Sequence, residues 1–175
     1  MSKTKEIALI GVYVALLIGG QVALSAISGI EVVTVLLASF AFYFGIKRSL
    51  IVAVAFSILR CFLFGFMPSV IILYLIYYPL FVTILGLIGN RFKHKATPKH
   101  HVLVIMVAVL CVVLFTALDN LITPLYYGLD RNSAIGYATT SLYATLPQVI
   151  FAIITLSVFF RPLLKLFEIS RLNNQ

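Results

Sequence analysis

Apolar residues dominate the chain in six long runs that are separated by short, more polar connections. The runs cover residues 5–27, 31–46, 49–64, 69–90, 102–127 and 135–160. The chain is long enough for six spans of roughly 20 residues, the length that a helix needs to cross the hydrocarbon core of a bilayer. Helices are expected because a lone strand in lipid leaves its backbone groups unpaired. The pattern therefore predicts an all-α integral membrane protein with six transmembrane helices.

The composition agrees with a membrane-embedded chain. Of 175 residues, 62% are hydrophobic and only 10% are charged, which is far less polar surface than a soluble domain of this size needs. No stretch has the composition of a detachable soluble domain, so residues 1–175 are expected to form a single six-helix domain. The first run has no small-residue cleavage site, and we expect it to be a retained span rather than a signal peptide.

Lysine and arginine are concentrated on one side of the predicted layout. Eleven of the thirteen fall in the termini and in the second and fourth connections: Lys3, Lys5, Lys47, Arg48, Arg91, Lys93, Lys95, Lys99, Arg161, Lys165 and Arg171. Because basic residues remain on the cytoplasmic side, both termini are predicted to be cytoplasmic. The net charge of +8 is thus a topology signal with anionic headgroups as its partner, and no nucleic-acid role is expected. The tail, residues 161–175, is expected to lie along the interface as an amphipathic end.

Polar side chains inside the runs form the most informative pattern. Ionisable groups within a membrane are costly, and they therefore mark functional candidates. Six polar side chains from five runs fall at similar depth in the outer half, namely Gln21, Glu31, Arg60, Asp119, Asn120 and Gln148. Two compatible interpretations stay open. One is an ion pair between Arg60 and Asp119 that locks two helices together, and the other is a ligand pocket open to the outside.

Two prolines inside the runs add aromatic candidates to that pocket. Pro79 lies near Tyr74, Tyr77 and Tyr78, and Pro147 lies near Tyr143. Each proline removes a backbone hydrogen bond and favours a kink, and a kink beside tyrosines is suited to line a cavity. Tyr74, Tyr78 and Tyr143 are therefore predicted to join the binding site, although prolines are also ordinary in membrane helices.

The first run also carries a stripe of small residues. Gly11, Ala15 and Gly19 recur at four-residue spacing, which gives a smooth helix face that another helix can approach closely. Packing within the chain produces the same pattern, so the partner of this face stays open.

Motifs for catalysis and for nucleotide binding are missing from the sequence. There is no phosphate-cradling Gly-Lys-Ser/Thr loop and no zinc-binding His-Glu-x-x-His. Cys61 and Cys111 lie within apolar runs and are expected to be packing residues. The sequence therefore predicts a protein that is not an enzyme, with no catalytic residue, no metal site and no cofactor.

Together these features resemble the substrate-binding membrane subunits (S-components) of energy-coupling factor (ECF) vitamin transporters. The size and the six-helix layout match over the whole chain, and the small-residue stripe is similar to the Ala-x-x-x-Ala surface of the family. Residues 29–34, Gly-Ile-Glu-Val-Val-Thr, resemble a Gly-x-Glu-x-Val-Thr stretch, and residues 44–47, Phe-Gly-Ile-Lys, resemble a Phe-Gly-x-Lys stretch. The run Leu63-Phe64-Gly65-Phe66, followed by Pro68 and Tyr74, adds to the likeness. Glycine at two of the three stripe positions departs from the alanine motif.

The resemblance implies a division of labour. This subunit would capture a vitamin from outside a bacterial plasma membrane. It would then dock through Gly11, Ala15 and Gly19 on a separate transmembrane coupling subunit, driven by two cytoplasmic ATPases. Glu31 and Arg60 resemble the pattern of cobalamin-associated subunits, so cobalamin is the ligand that we favour. A self-sufficient small carrier or channel, and a ligand-free membrane scaffold, are the alternatives.

Overall fold

The structure, a computed structural model, describes residues 3–25, 32–92 and 97–172, with the backbone alone for residues 170–172. These residues form six α-helices and no strand. The helices are α1 Lys3–Leu24, α2 Val32–Phe44, α3 Ile46–Phe64, α4 Pro68–Arg91, α5 Pro98–Tyr127 and α6 Arg131–Leu172. The all-α class is confirmed, and five of the six predicted runs agree with a helix to within four residues at both ends.

Four of the helices, α1, α4, α5 and α6, are long and apolar enough to cross a membrane. Helix α2 has only 13 residues, which corresponds to about 20 Å. Helix α3 has 19 residues and includes Lys47, Arg48 and Arg60. The structure therefore supports a membrane-embedded helical protein with at least these four helices suited to span.

Helix α2 lies at the centre of the bundle. All of its residues from Val33 to Phe42 are buried, and it contacts each of the other five helices. Those five surround it in the order α1, α3, α4, α5, α6, with each one packed against the next. In the described residues, α1 and α6 make no close backbone approach, so α1 lies at an edge of the bundle.

Contacts between helices show that successive helices run in opposite directions. Arg48 Nε at the start of α3 donates to Glu6 Oε1 at the start of α1 over 2.6 Å. His101 Nε2 at the start of α5 lies 3.0 Å from the Leu156 carbonyl oxygen in the second half of α6. The basic helix ends therefore share one end of the bundle, called the basic end below, and the opposite end is called the far end.

A close approach of α4 to α2 and α3 fixes the basic end. A Cβ built on Gly86 would lie 3.2 Å from the Ile46 backbone nitrogen, and one built on Gly89 would overlap the backbone of Phe42. Between these contacts, Gly45 joins α2 to α3 with a φ of 78°, a conformation that glycine adopts at little cost. The chain can therefore reverse direction within one residue there.

The predicted amphipathic tail is the last part of helix α6. Helix α6 continues through Pro147 and Pro162 to Leu172, and one face of its last part packs against the bundle while Leu166 and Ile169 are exposed. Leu164 is buried, and the Phe167 ring lies 5.2 Å from the Phe44 ring and 5.9 Å from the Tyr13 ring, measured between centroids. These aromatic contacts hold one face of the tail against α2 and α1.

Candidate functional site

The far half of the bundle contains a cluster of aromatic side chains between α4 and α5. Tyr77 on α4 meets Phe115 on α5 with ring centroids 4.9 Å apart. Tyr78 meets Tyr74 at 5.1 Å and Phe56 of α3 at 5.2 Å. Edge-to-face pairs at these distances are favourable beyond their area of burial. Tyr74, Tyr77 and Tyr78, which lie close together on α4 beside Pro79, are thus all buried.

A small cavity opens within this cluster. It is lined by Thr34, Tyr77, Tyr78, Val112 and Phe115 and has a volume of about 10 Å³. That volume is close to the smallest that holds one water molecule. The cavity lies between α2, α4 and α5, the helices that carry its lining residues.

The cavity was only partly foreseen from the sequence. Tyr78 lines it, and Tyr74 packs against two of its walls. Tyr77 lines it too, as expected for a tyrosine beside Pro79. Phe115 and Val112 were missed because nothing in an apolar run distinguishes a cavity wall from a lipid-facing position. Thr34 carried a signal that was not used, since it is the one hydroxyl in the first turn of α2.

Arg60 reaches Tyr74 at the edge of the same aromatic cluster. Its guanidinium carbon lies 4.4 Å from the Tyr74 ring centroid and 5.0 Å from the Phe64 ring centroid. Its Nε is buried and has no hydrogen-bond partner. Rings stabilise a cation through their faces, but they leave the N–H donors of the guanidinium unsatisfied.

Asp119 belongs to a second polar group, between α5 and α6. Its carboxylate accepts hydrogen bonds from the Thr123 hydroxyl at 2.8 Å and from the Tyr137 hydroxyl at 2.7 Å. Neither donor is a cation. The carboxylate is therefore held by neutral hydroxyl groups on both helices.

The same interface continues one and two turns towards the middle of the bundle. The Ser141 hydroxyl donates to Asn120 Oδ1 at 2.7 Å, and the hydroxyls of Thr116 and Thr145 lie 2.8 Å apart. Side-chain hydrogen bonds of this kind join helices within membranes. Helices α5 and α6 are thus connected by a ladder of polar pairs whose members largely satisfy one another.

The predicted ion pair between Arg60 and Asp119 is not formed. Arg48 and Glu6 form an ion pair, whereas neither Arg60 nor Asp119 forms one among the described residues. Helix α4 lies between α3 and α5, which make no close approach to each other. Both residues lie in the far half as expected, but they belong to separate groups.

The remaining candidates are dispersed. Gln21, near the end of α1, has a buried Oε1 without a hydrogen-bond partner. Gln148 is partly buried on α6, and Tyr143 points away from the bundle with 78% of its surface exposed. Glu31 lies outside the described residues. The structure therefore places Tyr74, Tyr78 and Arg60 together, Asp119 and Asn120 together, and Gln21, Gln148 and Tyr143 apart from both groups.

The small-residue stripe of α1 faces outward. Gly11, Ala15 and Gly19 are all exposed, and a Cβ built on either glycine meets nothing within 4 Å. Helix α1 packs on α2 and α3 through other residues, including the buried Tyr13, Val14 and Leu17. Packing within the described chain therefore does not account for the stripe.

No protein-family model, curated protein or solved structure matches the chain.

Proposed function

We propose that this chain is the substrate-capture subunit of an ECF-type micronutrient importer. It binds a vitamin, with cobalamin favoured, in the far half of a six-span bundle whose two termini are cytoplasmic. It delivers the vitamin by docking on a separate coupling subunit that works with two ATPases. The bacterial plasma membrane is its proposed location.

The observation that carries the proposal is the outward stripe of α1. Small side chains in a membrane helix permit close contact with another helix, and no helix of the described chain makes that contact. An edge helix with a smooth, uncharged face is suited to a partner that associates and dissociates. This supports docking over a purely internal role for Gly11, Ala15 and Gly19.

The distribution of polar groups supports capture from one side. Arg60, Asp119, Asn120 and the tyrosine cluster all lie in the far half, whereas ionisable groups of the other half lie close to the basic helix ends. A coupled carrier needs polar or ionisable groups along a path that reaches both sides. The arrangement therefore favours a one-sided binding site over a continuous pathway.

Binding a vitamin requires the aromatic cluster to open. Sites for small organic ligands have volumes of about 300–1,000 Å³, whereas the cavity has about 10 Å³. In the proposal, the tyrosines of α4 and Phe115 of α5 separate to admit the ligand, and Pro79 gives α4 a point at which it bends with one fewer backbone hydrogen bond. The described conformation then corresponds to the closed, ligand-free subunit.

A ligand-free membrane scaffold is the second candidate. The polar ladder between α5 and α6 favours it, because a network that satisfies itself needs no ligand. Arg60 argues against it, since its donors have no acceptor among the described residues. The two candidates therefore differ in what they require of Arg60.

Leucine substitutions on the docking face test the proposal. Gly11→Leu and Ala15→Leu should leave vitamin binding by the isolated chain unchanged, because neither position contacts the binding half. They should sharply reduce vitamin uptake in cells that contain the coupling subunit and its ATPases. Val12→Leu is the matched control, because Val12 is an exposed, already large residue beside the stripe, and its uptake should stay near wild type. Full uptake by both stripe variants would refute this docking face.

A further inference from the structure

Arg60 is a cation that has no anionic partner among the residues that the structure describes. No hydrogen bond or ion pair involves its guanidinium in the described residues. Its own helix, α3, is apolar around it, and Asp119 is occupied by Thr123 and Tyr137 on the other side of α4. An arginine in an apolar span is costly, and two aromatic faces offset only part of that cost.

The geometry of Arg60 is suited to recognition. The planar guanidinium lies over the rings of Phe64 and Tyr74, and its Nε is buried. Among the guanidinium nitrogens, only Nε is buried without a partner. The two terminal nitrogens therefore remain accessible. A fixed fork of N–H donors is the arrangement that binds a carboxylate or phosphate group through two parallel hydrogen bonds.

The surroundings specify what lies next to that anionic group. The Tyr74 ring lies against the Arg60 guanidinium. The same ring contacts the rings of Phe115 and Tyr78, with ring centroids 5.9 and 5.1 Å apart. A ligand whose acid group reaches Arg60 therefore places its body among aromatic rings, towards the cavity lined by Tyr77 and Tyr78.

We propose that Arg60 is the anion-recognition residue of the site, and that its ligand is a molecule with a carboxylate or phosphate group beside an aromatic or apolar body. This inference rests on the proposed function in so far as the ligand is the captured micronutrient. A membrane lipid has the same chemistry, because its phosphate group adjoins an apolar body. The test distinguishes the two sources.

The first arm compares soluble molecules that differ only in their acid group. The purified chain in a neutral detergent is titrated with biotin and biotinamide, nicotinate and nicotinamide, pantothenate and panthenol, and riboflavin with and without its 5′-phosphate. The readout is the bound fraction by native mass spectrometry. We expect the acid member of at least one pair to bind ten- to a hundredfold more tightly, roughly the value of a hydrogen bond to a charged group.

The second arm asks whether lipid is the source. The chain is placed in phosphatidylcholine nanodiscs with and without phosphatidylglycerol, and retained lipids are counted by native mass spectrometry after release. Retention of one anionic lipid that depends on Arg60 identifies the lipid as the ligand.

Three variants are measured in both arms. Arg60→Met removes the charge while keeping side-chain length, and it should abolish the acid preference without changing binding of the neutral member. Arg60→Lys keeps the charge but loses the planar fork, and it should give an intermediate preference. Arg131→Met removes an exposed cation from the same end of the bundle and should behave as wild type. Size-exclusion profiles confirm that each variant is folded.

The outcomes separate this inference from the proposed function. If a micronutrient binds but its neutral and acid forms bind equally, and Arg60→Met changes neither arm, the anion site is refuted while capture stands. If no micronutrient binds but Arg60→Met loses a retained anionic lipid, the anion site stands and capture fails. An equal loss in Arg131→Met would also refute the inference, because it would indicate a general effect of net charge.

Discussion

The contact between α4 and α2 provides the sharpest test of the fold. Gly89 lies so close to α2 that an added Cβ would overlap the Phe42 carbonyl oxygen and lie 2.8 Å from the Phe42 carbonyl carbon and Cα. All three are backbone atoms of Phe42, which is fully buried, so no side-chain rotation relieves the overlap. Gly89→Ala must therefore push the two helices apart.

The size of the effect follows from that displacement. Ordinary contact for a Cβ begins at 3.4 Å, so the helices must separate by more than half an ångström along a core that is packed at high density. Overpacking of this kind costs about 1–3 kcal/mol. Alanine regains at most about 1 kcal/mol of helix propensity over glycine. We expect Gly89→Ala to lower the free energy of unfolding by about 1–2 kcal/mol, and Gly89→Val by more.

The assay is reversible unfolding in mixed micelles, followed by far-UV circular dichroism as the fraction of SDS rises. Gly11→Ala is the matched control, because it adds the same methyl group to a helix at a position where nothing lies within 4 Å. Its midpoint should equal that of wild type or exceed it slightly. A Gly89→Ala midpoint equal to that of Gly11→Ala would refute the described packing of α4 on α2.

Three further predictions concern single contacts and topology. Tyr13→Phe removes a buried hydrogen bond of 2.7 Å to a carbonyl of α2 and should cost about 1 kcal/mol in the same unfolding assay; no change would show that the bond contributes nothing. Thr116→Val removes the hydroxyl that meets Thr145 and should lower the free energy of unfolding by about 0.6 kcal/mol, the mean for such bonds in a membrane protein. A double variant that also changes Thr145 to Val should lose little more. Additive losses would contradict a direct pair. A membrane-impermeant thiol reagent should label Asn132→Cys but not Lys99→Cys in intact cells, and it should label Lys99→Cys once the cells are permeabilised. Labelling of both variants in intact cells would contradict the alternating layout.

The helices were predictable because apolar runs and their polar breaks mark where spans begin and end. The run at 102–127, for example, ends at the same residue as α5, where Gly128 in a left-handed conformation terminates the helix. The end of α6 was not predictable in this way. Its tail looks amphipathic in sequence, but only the position of Tyr13 and Phe44 in space shows that Phe167 packs against the core.

The partner of a glycine stripe could not be predicted from the sequence either. Gly11 and Gly19 in α1, and Gly86 and Gly89 in α4, are similar signals in sequence, since each marks a smooth helix face. In the structure, the α4 pair is in tight backbone contact while the α1 pair is open. Which stripe is filled depends on the order of helices around α2, and that order is a property of the tertiary fold.

Side-chain pairing was the least predictable part of the site. Depth along a span follows from counting residues, so Arg60 and Asp119 were correctly expected in the same half of the bundle. Their positions around the bundle do not follow from counting. Helix α4 separates them, and Asp119 finds neutral hydroxyl donors on α6 in place of a cation.

The capture of a vitamin is the central claim, and native mass spectrometry of the purified chain with a panel of vitamins that includes cobalamin tests it most directly. We predict one vitamin bound per chain, retained through removal of excess ligand. Absence of any adduct across the panel, from a chain that is folded by size-exclusion and circular dichroism, would contradict the capture role and favour a ligand-free scaffold.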